Sequence, residues 1–526
     1  LRFHKKYLVG LVIIALVAAA TIYVWAEERE KSKREVTYQD LERFAEVFEK
    51  IMDNYVEEVG STKIIDAAIE AMLEQLDPHS LYMDKHDYEN LMIGTQGEFG
   101  GLGITISIRD DFPTVISPIE ETPAYRLGIQ GGDRIVEIEG ASTEGWSSEK
   151  AVSKLRGEPG SQVNITISRE GLEDSLHYSI TREIIKVPSI TYSDIIGDRV
   201  AYVRIARFST KTAEELDDIL NDYEADGLKG LILDLRSNPG GLLKSAYDVS
   251  DLFLEKDRLI VYTESRDPEQ NMRYKSRLRN IHDGYPIVLL VNEATASASE
   301  IVSGALQDWD KALIVGQPTF GKGSVQTVFN LQGNSALKLT TQRYFTPVGR
   351  SIHKGHFFKE ETEDKGETAE NVELEEYKTY NGRKVYGGGG IRPDWEIELP
   401  EFTEFERKVE QAGVFFSFAI HYTAYHDVDE DFEVGPEILS EFRDFAKTNG
   451  AEIKDEEWNE DNIDYVKLAI KREVFRKLYG TRGAYIATMP DDEVVNKVLD
   501  MLGRTGGLSE MFDYVERQKD LVKAEE

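Results

Sequence analysis

The stretch Pro286-Ile287-Val288-Leu289-Leu290-Val291-Asn292 leads within a few residues into Thr295-Ala296-Ser297-Ala298-Ser299-Glu300. An unbroken apolar run without alternation predicts a strand buried on both faces, and the small residues after it open a helix from Ser297 to Asp308. After this helix, Ala312–Val315 reads as a further strand. On the other side, Arg199–Phe208 is a strand and Thr212–Tyr223 a helix. Gly230–Leu235 is a second buried strand, running into Asn238-Pro239-Gly240-Gly241 and a helix from Leu242. Apolar strands alternating with helices predict an α/β core whose sheet is covered on both faces.

The flanks differ in character. Residues 31–95 read as helical, with Phe44, Val47, Phe48, Ile51 and Met52 at helix spacing, broken by a turn at Leu76-Asp77-Pro78-His79-Ser80. From Gly97 to about Arg182 the pattern is short β-rich runs punctuated by glycine, with one helix-like stretch, Ser148 to Leu155. Residues 357–380 are acidic and read as a surface insertion, and from Phe402 onward acidic amphipathic helices predominate.

At the N-terminus, Arg2, His4, Lys5 and Lys6 precede an uncharged run from Tyr7 to Ala26, followed by Glu27-Glu28-Arg29-Glu30. Such a run just spans a bilayer with its basic flank on the cytoplasmic side. Val24-Trp25-Ala26 would also pass as a signal-peptide cleavage site, but the run exceeds the usual signal core, so a retained anchor is expected. Either way the remainder is exported.

At 526 residues the chain is too long for one core. It has no cysteine, which excludes thiol catalysis, disulfides, cysteine zinc sites and a lipoprotein anchor. A net charge of −35 argues against broad contact with nucleic acid or anionic lipid, which needs clustered Lys and Arg.

A hydroxyl at the strand-to-helix junction, Ser297 or Ser299, lies beside unpaired helix N–H groups, where it is either a nucleophile or a helix cap. Phe320-Gly321-Lys322-Gly323-Ser324-Val325-Gln326 favours the nucleophile. A lysine between two glycines and two apolar strands is poorly placed for solvent, and burial lowers a lysine's pKa by up to roughly 3–5. A neutral amine can then take the proton from serine. Rival signatures are missing: no phosphate-binding Gly-x-x-x-x-Gly-Lys-Ser/Thr, no Gly-x-Ser-x-Gly and no His-Glu-x-x-His. Ser147–Lys150 and Ser351–Lys354 read as chance spacings. His353 with His356, and His421 with His426, read as surface or packing residues, so no metal is expected.

Thr-Ala-Ser-Ala-Ser-Glu, then Gln307-Asp308, then Gly316-Gln317-Pro318-Thr319-Phe320-Gly321-Lys322 onward closely resemble the carboxyl-terminal processing peptidases, or tail-specific proteases of family S41. The resemblance implies Ser297 as nucleophile, Lys322 as general base, Gln326 as the residue orienting Lys322, and Asp308 in support. Its choice of Ser297 over Ser299 rests on alignment alone. Asp234-Leu235-Arg236-Ser237-Asn238-Pro239-Gly240-Gly241 resembles the family's oxyanion turn, which implies Gly240 or Gly241 with Ala298 as donors. Leu76-Asp77-Pro78-His79-Ser80, Tyr344-Phe345-Thr346-Pro347-Val348-Gly349 and Gly390-Ile391-Arg392-Pro393-Asp394 also fit.

Phe99-Gly100-Gly101-Leu102-Gly103-Ile104 resembles the carboxylate loop of a PDZ domain, in which backbone N–H groups hold a peptide's C-terminus. This implies Gly100, Gly101, Leu102, Gly103 and Ile104 as tail-binding, with Arg156 near a regulatory hinge. The fold expected from the family is a crotonase-like (ClpP/crotonase) α/β core with an inserted PDZ domain and flanking helical regions. The expected division is 1–26 anchor, 27–95 helical, 96–182 PDZ, 183–400 protease core and 401–526 acidic helical tail. The function implied is a serine endopeptidase with a Ser-Lys dyad, without cofactor, cleaving exported proteins with apolar C-termini on the periplasmic side of the inner membrane. The rival is a catalytically silent membrane-anchored PDZ scaffold. An adaptor protein and self-association are the partner roles left open for the tail.

Overall fold

The computed structural model describes residues 38–278, 281–354, 374–398 and 402–525. The expected membrane segment and most of the acidic insertion lie outside them. The chain divides into two compact units at Tyr82 and Met83. In the first, a helix over 38–54 is followed by Ser61–Glu74. The Asp77 carboxylate then accepts the N–H groups of His79 and Ser80 (2.8 and 2.9 Å) and the Ser80 hydroxyl (2.7 Å), which closes the predicted turn.

In the second unit, a six-stranded sheet runs in the order Ile190–Ile196, Val200–Ile205, Gly230–Asp234, Ile287–Val291, Leu313–Gly316, Trp395–Glu396. The first pair is antiparallel and the rest are parallel. Side chains alternate between faces, so each strand serves two cores. Ala201, Val203, Leu231, Leu233, Ile287 and Leu289 pack against helices Thr212–Ala225, Leu243–Phe253 and Ala298–Asp308. Tyr202, Ile232, Val288 and Leu290 face the other way. A smaller antiparallel sheet of Leu259–Ser265, Met272–Lys275, Ser324–Asn330 and Ala336–Phe345 carries the lysine segment.

Residues 98–186 form a β-rich module around Val115, Ile135, Val163 and Ile165, with helix Ser148–Leu155 as read from sequence. Among the described residues its strand Ile104–Arg109 pairs only with Phe112–Pro118 and so forms a sheet edge.

The C-terminal region has two jobs. Helices Val414–Tyr425, Pro436–Thr448 and Glu460–Thr488 make a core of their own around Phe415, Phe418, Phe442 and Ile470. They also touch the β-rich module: the Arg109 guanidinium lies 4.4 Å from the Phe416 ring, and His421 pairs with Glu170 at 3.0 Å. Glu493–Arg504 and Leu508–Glu525 cover the second face of the six-stranded sheet, burying Val494, Val498, Met501, Met511 and Val515. The acidic tail is thus in part a wall of the central core. Truncating Met501 to alanine removes a fully buried side chain from that wall, with an expected loss of about 2–5 kcal/mol. A thermal melt checks it; an unchanged melting temperature would mean these helices do not stabilise the sheet.

Candidate active site

Strand Ile287–Val291 ends at Asn292, whose N–H donates to Thr295 Oγ1 (2.9 Å), and Thr295 in turn donates to the Leu235 carbonyl (2.9 Å). The chain then reaches Ser297, which precedes helix Ala298–Asp308 at φ +55°, ψ −113°. A non-glycine residue there costs about 1–3 kcal/mol and persists only where its surroundings hold it. The surroundings are visible. The Asn238 carbonyl accepts the Ala296 N–H (3.0 Å) and the Ser299 hydroxyl (3.1 Å). Ser299 is fully buried with its hydroxyl donated, whereas Ser297 is half-buried.

Gly240 lies directly against this turn. A Cβ built on it would sit 2.8 Å from both the Ala296 carbonyl oxygen and Ser297 Cβ, and 2.9 Å from the Ala298 nitrogen. Its own N–H is taken by Asn238 Oδ1 (2.9 Å). Gly240 therefore provides clearance for the turn while its N–H closes on Asn238. Among the described residues no acceptor meets the N–H of Gly241 or of Ala298.

Glu300, fully buried on the first turn of the helix, links the serine to the lysine segment. Its carboxylate accepts the N–H groups of Ser297 (2.7 Å), Gly321 (2.8 Å) and Lys322 (2.9 Å) and the Thr319 hydroxyl (2.5 Å). Burial raises its pKa, and these hydrogen bonds oppose the rise. Tyr344 makes a second link, its hydroxyl donating to the Ser297 carbonyl (3.1 Å) and the Lys322 carbonyl (2.5 Å). Burial, with Glu300 nearby, holds that phenol well above its ordinary pKa, so it stays a donor. The glycines beside Lys322 admit a neighbouring segment: a Cβ on Gly321 would lie 2.8 Å from Lys354 Cβ, and one on Gly323 2.9 Å from His353 Cβ. Lys322 itself is half-buried.

The turn at 234–241 is held at its base by charge. Buried Asp234 accepts from the Tyr202 hydroxyl (2.5 Å), Arg204 Nη1 (2.7 Å) and Arg236 Nη2 (2.7 Å). Burial alone would raise its pKa, but Arg236 and Arg204 bring it down to about 2. Asn238, also buried, donates to the Ile205 carbonyl (2.8 Å). Glu300, Tyr344, Asn238 and Asp234 all stand in the motifs read from sequence, yet motif reading gives them no role, because their partners are distant in the chain.

Asp308 sits at the far end of the helix. It accepts Arg350 Nη2 (2.5 Å) and the Val348 N–H (3.0 Å), pinning the loop after Phe345. Burial raises its pKa against the pull of Arg350. Gln326 Nε2 donates to the hydroxyls of Ser324 (2.9 Å) and Thr340 (3.2 Å). Ser147 caps helix Ser148–Leu155 through the Lys150 N–H (3.3 Å), so that Ser-x-x-Lys is a helix start.

In the β-rich module, a cleft of about 60 Å³ is lined by Phe99, Leu102, Gly103 and Ile104 on one side and Val152, Leu155 and Arg156 on the other. The N–H groups of Leu102 and Gly103 meet no acceptor among the described residues. Gly100 packs against Gly157, whose N–H donates to its carbonyl (3.2 Å), and a Cβ on Gly101 would meet the Phe99 ring at 2.8 Å. Arg156 lies 4.9 Å from the Phe99 ring and donates to Asn90 (2.7 Å) on helix Lys85–Gln96.

Family models match three stretches of the chain: peptidase family S41 over 199–362, a PDZ domain over 91–168, and the activating protease CtpB N-terminal domain over 16–87. A carboxy-terminal-processing protease of Bartonella bacilliformis is 42% identical over 344 residues, covering 65% of this chain and 79% of that one. The carboxy-terminal processing protease CtpA of Bacillus subtilis is 32% identical, covering 67% and 76%. Among solved structures, the photosystem II D1 C-terminal processing protease is 28% identical with a TM-score of 0.34, covering 59% of this chain and 89% of that chain. The chain belongs to peptidase family S41, as a carboxy-terminal processing protease with a PDZ domain.

Two outcomes are expected at this site. Gly240→Ala forces a methyl group onto the Ser297 turn and should lower kcat by at least about a hundredfold, the scale of losing an oxyanion donor; steady-state proteolysis checks it. The Asp234 pKa lies below its unfolded value of about 3.9, so its stabilisation is present above pH 4 and lost as pH falls toward 2. Asp234→Asn should flatten the stability profile across that window and cost about 3–5 kcal/mol at neutral pH; denaturant titrations at several pH values measure both.

Proposed function

We propose that the chain is a serine endopeptidase in which Ser297 is the nucleophile and Lys322 the general base. The observation that carries this is the pair of bridges, Glu300 and Tyr344, each bonding the backbone of both residues. Two segments tied so closely at the backbone bring their side chains to a common place, as a dyad requires. Lys322 takes the hydroxyl proton as Ser297 attacks the peptide carbonyl, then gives it to the leaving amine. Water completes hydrolysis of the acyl-enzyme. The N–H groups of Gly241 and Ala298 receive the developing oxyanion. Gln326, its Nε2 engaged by Ser324 and Thr340, keeps Oε1 as the acceptor that orients Lys322. Asp308 acts at a distance, by fixing the far end of the helix.

Substrate choice resides in the PDZ domain. A peptide pairing with the open edge of Ile104–Arg109 would bring its terminal carboxylate to the N–H groups of Leu102 and Gly103. The apolar lining of the cleft favours an apolar last residue. Gly100 and Gly101 keep the loop narrow, and Arg156 joins the cleft to the helix before it, where it can couple occupancy to position. The parallel sheet with the serine helix on one face is in keeping with a crotonase-like core. Export rests on the basic and apolar N-terminal sequence; among the described residues no helix is long and apolar enough to cross a membrane.

Proteolysis of an unfolded protein ending in small apolar residues should exceed that of the same protein ending in acidic ones. Ser297→Ala and Lys322→Ala should each lower kcat by at least about a thousandfold. Full activity in both variants would refute the dyad. Binding of the apolar tail without any cleavage by the parent would favour the PDZ scaffold instead.

A further inference from the structure

We infer that Asp492, in the C-terminal helical region, is a positioning residue for the peptidase reaction, acting on the 234–241 turn through the Arg236 guanidinium. The inference rests on the Ser297 reading of the site and adds to it a part of the chain that no motif connects with chemistry.

Asp492 Oδ2 accepts Arg236 Nη2 at 2.7 Å, and its Oδ1 is 3.3 Å from Arg236 Nη1. On its inner side the same guanidinium donates from Nε and Nη2 to Asp234 (3.0 and 2.7 Å). Arg236 is thus held between two carboxylates, one from the core and one from the tail, with only 13% of its side chain exposed. Arg204 completes the group by bonding Asp234 and the Arg236 carbonyl (3.0 Å). Two arginines and two aspartates sum to zero charge. Without Asp492 the cluster keeps a net positive charge in a largely dry place, and the outer edge of Arg236 has every reason to swing toward water.

What that edge controls is close by. Asn238, two residues beyond Arg236, ties the turn to Ala296 and Ser299, and Gly240 lies against Ser297. A rotation at Arg236 shifts the Gly241 N–H relative to the serine, and oxyanion stabilisation is steep in such displacements. Asp492 is itself rigidly mounted. It caps helix Glu493–Arg504 by accepting the N–H groups of Val494 and Val495 (3.1 and 3.0 Å). Just upstream, Tyr485 stacks on Tyr192 of the sheet (5.2 Å) and faces the Arg204 guanidinium (5.4 Å).

The double duty of Asp492 permits a clean test in the full chain. Asparagine caps a helix as well as aspartate does, so Asp492→Asn preserves the cap and removes the charge. It should lower kcat about tenfold, equivalent to about 1.4 kcal/mol in the barrier, with KM for an apolar-tailed unfolded substrate unchanged. Asp492→Glu should recover part of the loss. Met501→Ala, which loosens the same helix without touching Arg236, should lower the melting temperature and leave kcat at 25 °C alone. A kcat for Asp492→Asn within about twofold of the parent would overturn the inference, as would an equal fall in Met501→Ala, which would reduce the effect to packing. Ser297→Ala separates the two failures. Turnover surviving in it overturns the Ser297 reading and this inference together. An inactive Ser297→Ala beside a full-rate Asp492→Asn overturns the inference alone.

Discussion

Taking a carboxylate out of water is costly, and Glu300 is out of water entirely. Four donors from two separate segments converge on it, and they compensate that cost only if the segments meet in one geometry. The site depends on this constraint. Satisfying Glu300 fixes the backbone of Ser297 in a conformation it would not adopt alone, and fixes Gly321 and Lys322 beside it. Tyr344 repeats the connection from the carbonyl side, where its phenol can only donate. The strain at Ser297 and the burial of Glu300 are therefore one arrangement, each accounted for by the other.

The 234–241 turn is built by a different logic. Asn238 is a hydrogen-bond hub, accepting on its carbonyl and side-chain oxygens and donating from its amide, so the turn, the Ser297 junction and strand Val200–Ile205 move as one body. Beneath it the Asp234, Arg204 and Arg236 cluster extends to Asp492 in the tail. Charged groups in such surroundings contribute little net stability over apolar ones, but they demand specific partners. That demand suits a turn whose N–H directions matter more than its depth of burial.

The C-terminal helices join these parts. Their last two members replace water on one face of the central sheet, and the preceding ones reach the PDZ domain through Phe416 and His421. The cleft of the PDZ domain and the serine thus share a neighbour in the chain that is part of neither.

Much of this was legible in the sequence. The buried strands at Gly230–Asp234 and Ile287–Val291 could be read because a strand covered on both faces must be apolar throughout, and that pattern is local. Helix Ser148–Leu155 could be read because its pattern is also local, with Ala151 and Leu155 one turn apart on the buried face. The Ser297 and Lys322 motifs were visible because backbone crowding confines those positions to small residues and glycine. Pairings over long chain separations, by contrast, exist only once the chain has folded. Ser299 is set apart from Ser297 by a carbonyl at Asn238, and the Gly240 N–H closes on the side chain of that same residue. Glu300 reads as an ordinary helix-start carboxylate until Gly321 and Lys322 are folded against it. The acidic tail reads as amphipathic helices with apolar faces suited to packing, but that Val494 to Val515 meet one face of the central sheet is fixed only by the fold. Sequence displays what each residue prefers for itself; which donor meets which acceptor is fixed only when the sheet brings distant segments together.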